Sequence, residues 1–139
     1  MSDRVFVDTN VLVYAHDVDA GSKHAIAVSL VSDLWSSRAG ALSLQVLQEL
    51  YVNITRKIRT PVAKKTAREI VETYGAWHVQ EVGPEDVVRA SLLEERQKLS
   101  FWDALILVAA KKADAVKLLS EDMSHGQRVD GVLLENPFV

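Results

Sequence analysis

The sequence predicts an α/β fold, with one parallel sheet flanked by helices. Three observations carry that expectation. Short apolar runs rich in β-branched residues recur along the chain, as Val5-Phe6-Val7, Ala41-Leu42-Ser43, Val116-Lys117-Leu118-Leu119 and Gly131-Val132-Leu133-Leu134. Segments of helical periodicity separate them, which is the pattern of parallel strands joined by helical crossovers. Finally, 139 residues suffice for one core without staples, and no internal repeat, low-complexity tract or linker divides them.

In chain order, Val5-Phe6-Val7 reads as a buried strand that stops on Asp8. Asp8, Thr9 and Asn10 are all good capping types, so helix capping is the plain explanation for them. In an open α/β sheet, however, an acid at a strand's carboxyl end faces the crevice where ligands bind. Ser22 to Ser37 is expected as a helix capped by Ser22, with Ala27, Leu30, Val31, Leu34 and Trp35 on one face. After Gly40 and the short Ala41–Ser43 strand, Ser43 is placed to cap a helix from Leu44 to Ile58. Leu47, Leu50, Tyr51, Ile54 and Ile58 mark its core side, while Gln45, Glu49 and Asn53 form a polar line at i, i+4, i+8.

Arg56, Lys57, Arg59, Lys64, Lys65 and Arg68 follow with no acid among them, either as a solvated hairpin or as a surface for phosphates or an acidic partner. Thr60-Pro61 is expected to restart a helix with proline at its first position, and Gly75 to close it. Trp77 to Val82 alternates like a strand with one exposed face. Gly83-Pro84 opens a helix from Glu85 to Lys98, with Val88, Leu92 and Leu99 marking the inner side. Ser100 and Asp103 have the spacing of a capping box before an apolar helix, Ala104 to Ala113, expected to be central. The strand Val116–Leu119 then runs into Ser120-Glu121-Asp122, the second strand to end in acid. Ser124-His125-Gly126 is loop, and Gly131–Leu134 a final strand.

Composition narrows the function classes. Cysteine is absent, which removes disulfides and thiolate metal sites and fits a reducing compartment. The charged start Met1-Ser2-Asp3-Arg4 is not that of a signal peptide, and no apolar run approaches bilayer length. The net charge of −3 excludes a uniformly basic nucleic-acid binder. No Ser-His-Asp or Cys-His arrangement points to a covalent route, and His16, His24, His78 and His125 have no matching partner in sequence.

What remains is acidic. Asp8, Glu49, Asp103 and Asp122 stand at element ends or on the polar helix line, and one sheet can gather them. Carboxylates about 4 Å apart repel by roughly 4 kcal/mol per pair at an effective dielectric near 20. Such a group needs protons or a cation, and an all-oxygen set selects Mg²⁺ or Mn²⁺.

An ordered set of motifs carries a family resemblance: Asp8-Thr9-Asn10 after the first strand, Gln48-Glu49-Leu50, Phe101-Trp102-Asp103-Ala104, Ser120-Glu121-Asp122-Met123 and Asn136-Pro137-Phe138. Together they resemble PIN-domain ribonucleases, most closely the VapC toxins of toxin–antitoxin pairs. The match spans essentially the whole chain, so residues 1–139 are expected to be a single PIN-like nuclease domain. The resemblance implies a metal-dependent endoribonuclease that leaves a 5′-phosphate and a 3′-hydroxyl. By position, Asp8 and Asp103 would be the main Mg²⁺ ligands. Glu49 would bind metal or orient its water, and Asp122 or its neighbour Glu121 would complete the pocket, with Asn10 and Ser120 in support. Serine at 120 replaces the family's frequent threonine but keeps the hydroxyl. The resemblance further implies a cytoplasmic homodimer, an RNA substrate, and a small antitoxin whose tail covers the pocket. Arg56, Lys57, Arg59, Lys64, Lys65 and Arg68 would meet one or the other. Two rivals fit less well. Aspartyl-phosphate phosphatases need a second acid where Asn10 stands, and a non-catalytic RNA- or protein-binding module does not need all four acids.

Overall fold

The computed structural model describes residues 3–139; Met1 and Ser2, part of the charged start, lie outside them. The elements are β1 (Val5–Val7), α1 (Thr9–His16), α2 (Ser22–Ser37), β2 (Gly40–Ser43), α3 (Leu44–Arg56), α4 (Lys64–Tyr74), β3 (His78–Gln80), α5 (Pro84–Gln97), α6 (Phe101–Lys112), β4 (Lys117–Leu119), β5 (Arg128–Val129) and β6 (Val132–Glu135). Six strands form one sheet in the order β3-β2-β1-β4-β6-β5. β1 sits inside, parallel to β2 on one side and to β4 on the other, with Val5 opposite both Gly40 and Lys117. The connection after β1 leads outward to β2 and the one after β4 leads outward the other way, so the crevice between the carboxyl ends of β1 and β4 is the topological switch point.

The core is continuous across the sheet: Phe6, Val7, Leu42 and Leu118 meet Leu12, Leu50, Ile54 and Leu107 from the helices, all shielded from water. Gly40 permits one close approach. A side chain there would stand 2.5 Å from the Trp77 ring, which lies against Trp35 and Tyr74.

Local differences from the sequence reading have identifiable causes. Helix α2 does start at Ser22, but Gly21 takes the capping position, and Ser43 at the head of α3 makes no side-chain cap bond. Pro61 does not open α4. Residues 61–63 belong to no helix or strand, with Ala63 extended; the Val62 amide donates to the Ile54 carbonyl (2.8 Å), and the helix begins at Lys64. The inner face of α5 is not Val88 and Leu92, each 60% exposed, but Asp86, Ala90 and Leu93. That stripe opens on a carboxylate, which a hydrophobic pattern cannot register. Strand β5 is an addition. It pairs antiparallel with β6 through a tight turn in which Asp130 (φ 50) and Gly131 (φ 86) both take the left-handed conformation. An Asp-Gly pair is the usual sequence sign of such a turn.

Candidate active site

Asp8 is the first residue beyond β1. Its backbone N–H donates to the Leu119 carbonyl (2.9 Å), tying the end of β1 to β4. Its side chain, 5% exposed, is fixed at both oxygens: Oδ1 accepts from the Thr9 amide (2.7 Å) and Oδ2 from the Ser120 hydroxyl (2.8 Å). Capping α1 and lining the crevice are therefore two uses of one carboxylate.

The other acids reach the crevice from separate elements. Asp103 lies in the first turn of α6, where its amide donates to the Ser100 hydroxyl (3.1 Å). Asp122 follows β4; its amide donates to Ser120 Oγ (3.1 Å), and its Oδ2 accepts from Asn10 Nδ2 (2.9 Å). Oxygens of Asp8, Asp103 and Asp122 lie within 4.8 Å of one another. Glu49, on the polar line of α3, stands at the edge of this group, and its Oε1 accepts from the Thr9 hydroxyl (2.9 Å). All four acids line one cavity of about 320 Å³, together with Asn10, Gln45, Asn53 and Trp102.

The neighbouring Glu121 turns away. Its carboxylate accepts from Tyr14 Oη (2.6 Å) and from Lys23 Nζ (2.5 Å), while its amide donates to Asn10 Oδ1 (3.3 Å). Burial alone would raise the Glu121 carboxyl; the Lys23 and Tyr14 bonds outweigh it and hold the group below the usual glutamate range. Of the two acids after Ser120, then, Asp122 joins the cluster and Glu121 braces its flank.

The clustered acids shift the other way. Burial pushes the Asp8 carboxyl up to about 6, against the bonds from Ser120 and Thr9, and the charges of Asp103 and Glu49 add to the rise. Asp103 is raised by burial and by the charge of Asp122, against its bond to Ser100. Three carboxylates held this close with no basic residue lining their cavity form an oxygen-only set suited to a hard divalent cation.

The remaining expected contacts lie elsewhere. Arg56, Lys57, Arg59, Lys64, Lys65 and Arg68 are all exposed around the α3–α4 connection, and none lines the acidic cavity. The histidines are engaged in bonds away from the acids: His16 with Tyr74, His24 with the Tyr14 carbonyl, His78 with Gln80, and His125 with the Asn136 amide. Sequence reasoning missed Thr9 as the tether of Glu49, and Tyr14 and Lys23 as the holders of Glu121. Thr9 was signalled by its place beside Asp8. Lys23, 98 residues from its partner, left no signal.

Comparison with known proteins identifies the family and the fold. The family model described as "PIN domain" matches residues 5–129. A search of the curated proteins finds no match. Among solved structures, a toxin–antitoxin complex from Klebsiella pneumoniae superposes with a TM-score of 0.67 at 21% identity, over 96% of this chain and 97% of that one. VapC20 of Mycobacterium tuberculosis, described as a sarcin–ricin loop cleaving toxin, gives 0.62 at 21%, over 82% and 86%. DNA-bound VapBC from Salmonella typhimurium gives 0.67 at 14%, over 99% of each chain. At these identities the likeness is one of fold.

Proposed function

From the premise that this chain belongs to the PIN-domain family, we propose that it is a metal-dependent endoribonuclease and the toxin of a type II toxin–antitoxin pair. The single observation that carries this reading is the convergence of Asp8, Asp103 and Asp122 at the switch point of the sheet. In this reading residues 1–139 act as one nuclease domain.

Asp8 and Asp103 would hold Mg²⁺ or Mn²⁺, with Asp122 completing the pocket. When bound, the ion supplies Lewis acidity and charge neutralisation at a phosphodiester. The chain's own groups do the rest. Thr9 and Ser120 fix both oxygens of Asp8, so the carboxylate is oriented before substrate arrives. Asn10 holds Asp122 in the same way. Thr9 occupies Glu49 Oε1, which leaves Oε2 to orient the attacking water and accept its proton. Water oxygen bonds to phosphorus, the bond to O3′ breaks, and the proton passes to the leaving oxygen. The products are a 5′-phosphate and a 3′-hydroxyl.

The toxin assignment leans on the fold shared with toxin–antitoxin structures. The partners it implies are RNA, a small antitoxin whose tail covers the pocket, and a second copy of the chain, all in the cytoplasm. No helix among the described residues is long and apolar enough to cross a membrane. The test is cleavage of a mixed RNA pool with Mg²⁺ or Mn²⁺ against an EDTA control, with the new ends mapped. The wild type is expected to cleave, and Asp103→Asn to lose this while keeping the fold, because asparagine retains the size but not the charge. Cleavage by Asp103→Asn at the wild-type rate would reduce Asp103 to a helix residue. No cleavage by the wild type would leave a binding module.

A further inference from the structure

The cavity has a second wall that the acids do not explain. Trp102 precedes Asp103 in the first turn of α6, is 62% exposed, and lines the same cavity as the four acids. Singly exposed apolar residues are ordinary. Val18, Val88, Leu92 and others are exposed here as well, but among the described residues Trp102 is the one large exposed hydrophobic that borders the acidic cavity. Its ring is also braced. It meets Phe101 edge to face, with centroids 5.2 Å apart, while Gln45 Nε2 donates to the Trp102 carbonyl (3.5 Å) and ties this turn to α3.

Resting on the nuclease reading above, we propose that Trp102 is a stacking platform for an unpaired base next to the scissile phosphate. Asp103 and Trp102 are consecutive, with Cα atoms about 3.8 Å apart. A phosphate drawn to the acids through a cation carries its own nucleosides, whose bases must lie against a neighbouring surface. The exposed side chain on the α6 side is the Trp102 indole. Every base has a π-face, so such a platform gives affinity without sequence choice. A paired base already has both faces covered within its helix and can stack on a protein ring only when splayed out.

The experiment uses an RNA oligonucleotide that the wild-type protein cuts, and the same oligonucleotide with an abasic residue on either side of the cut. Wild type, Trp102→Ala and Trp102→Phe are compared in cleavage with Mg²⁺, in RNA binding with EDTA by tryptophan fluorescence quenching, and in sedimentation. Trp102→Ala is expected to lower kcat/KM about ten- to a hundredfold, the usual worth of one stacked base, with Trp102→Phe keeping most of the rate. One abasic position should cost the wild type as much, and should cost Trp102→Ala nothing further. Without metal, quenching by RNA should be strong in the wild type and small in Trp102→Phe. Equal cleavage by wild type and Trp102→Ala overturns the proposal, as does the same fractional loss for Trp102→Ala on intact and abasic RNA. A changed oligomer mass with unchanged RNA binding makes Trp102 a protein contact instead. If the wild type cuts no RNA, the nuclease reading itself fails and this inference falls with it. Those outcomes differ in the wild-type lane alone.

Discussion

Asp8 shows how one side chain can serve the fold and the site while straining the first for the second. Its oxygens cap α1 and hold Ser120, yet burial and the nearby acids raise its carboxyl to about 6 from an ordinary 3.8. The native state thus keeps this proton to a higher pH than the unfolded chain does. By linkage, stability from this group is full below 3.8, falls as pH rises, and is lost above about 6. Asp8→Asn removes that loss, and asparagine caps about as well. In EDTA the variant should melt above the wild type at pH well above 6 and lose the advantage below 3.8. Mg²⁺ at a hundred times its dissociation constant should stabilise the wild type by about 2.7 kcal/mol, a melting shift on the order of 10 °C, and the variant by less. Equal apo melts with no Mg²⁺ response in either protein would show that the acids form no cation site. At this scale the sequence made Asp8, Asp103, Glu49 and Asp122 legible, since each sits at an element end or on a polar line. It left Asp122 and Glu121 undivided. The choice between them is made by Lys23 and Tyr14, and contacts across the fold leave no local pattern.

Between elements, the α5–α6 contact turns on a charge. Asp86 is fully buried and accepts from Lys112 Nζ (2.8 Å) and from the Gly83 amide (2.8 Å), with Arg89 nearby (3.5 Å). Burial works to raise its carboxyl, but the Lys112 and Gly83 bonds and the charges of Lys112 and Arg89 outweigh it and hold the group low. Asp86→Ala removes both a helix-capping bond and the partner of Lys112. It is expected to cost about 2–4 kcal/mol in urea unfolding, with Asp86→Asn costing less because the Gly83 bond survives. A loss for Asp86→Ala no larger than for an exposed residue such as Glu94 would show that the pair contributes nothing. The boundaries of α5 were readable from Gly83-Pro84, but its face was not. Hydrophobic periodicity placed Val88 and Leu92 inside, whereas the ion pair with α6 rotates them to water. The same limit explains Pro61, which stays outside α4 while the next residue, Val62, bonds back to α3.

Across the whole molecule, charge is separated. The net charge is −3, the acids converge at the switch point, and six exposed bases crowd the α3–α4 connection away from the cavity. If those bases contact RNA phosphates, Lys64→Glu with Lys65→Glu should weaken RNA binding at low salt and flatten its salt dependence by roughly two phosphate contacts. Unchanged RNA affinity, read by titration over a salt series, assigns the pair to a protein partner. The sequence announced this cluster and the alternating α/β order, because both are written in contiguous residues. It did not announce β5, where two residues are too few for a periodicity and only the Asp130-Gly131 turn gave notice.

The strand order also limits how copies of this protein can join. The sheet's borders are β3, three residues long, and β5, two residues long and folded back on β6. Edges this short are poor templates for an added strand. Assembly through side chains, with the main-chain ladder left within each copy, is the expected outcome. Amide hydrogen exchange across a dilution series should accordingly leave the border residues His78–Gln80 and Arg128–Val129 unchanged as copies associate. Protection gained at either border would mean that the ladder continues from one molecule into the next.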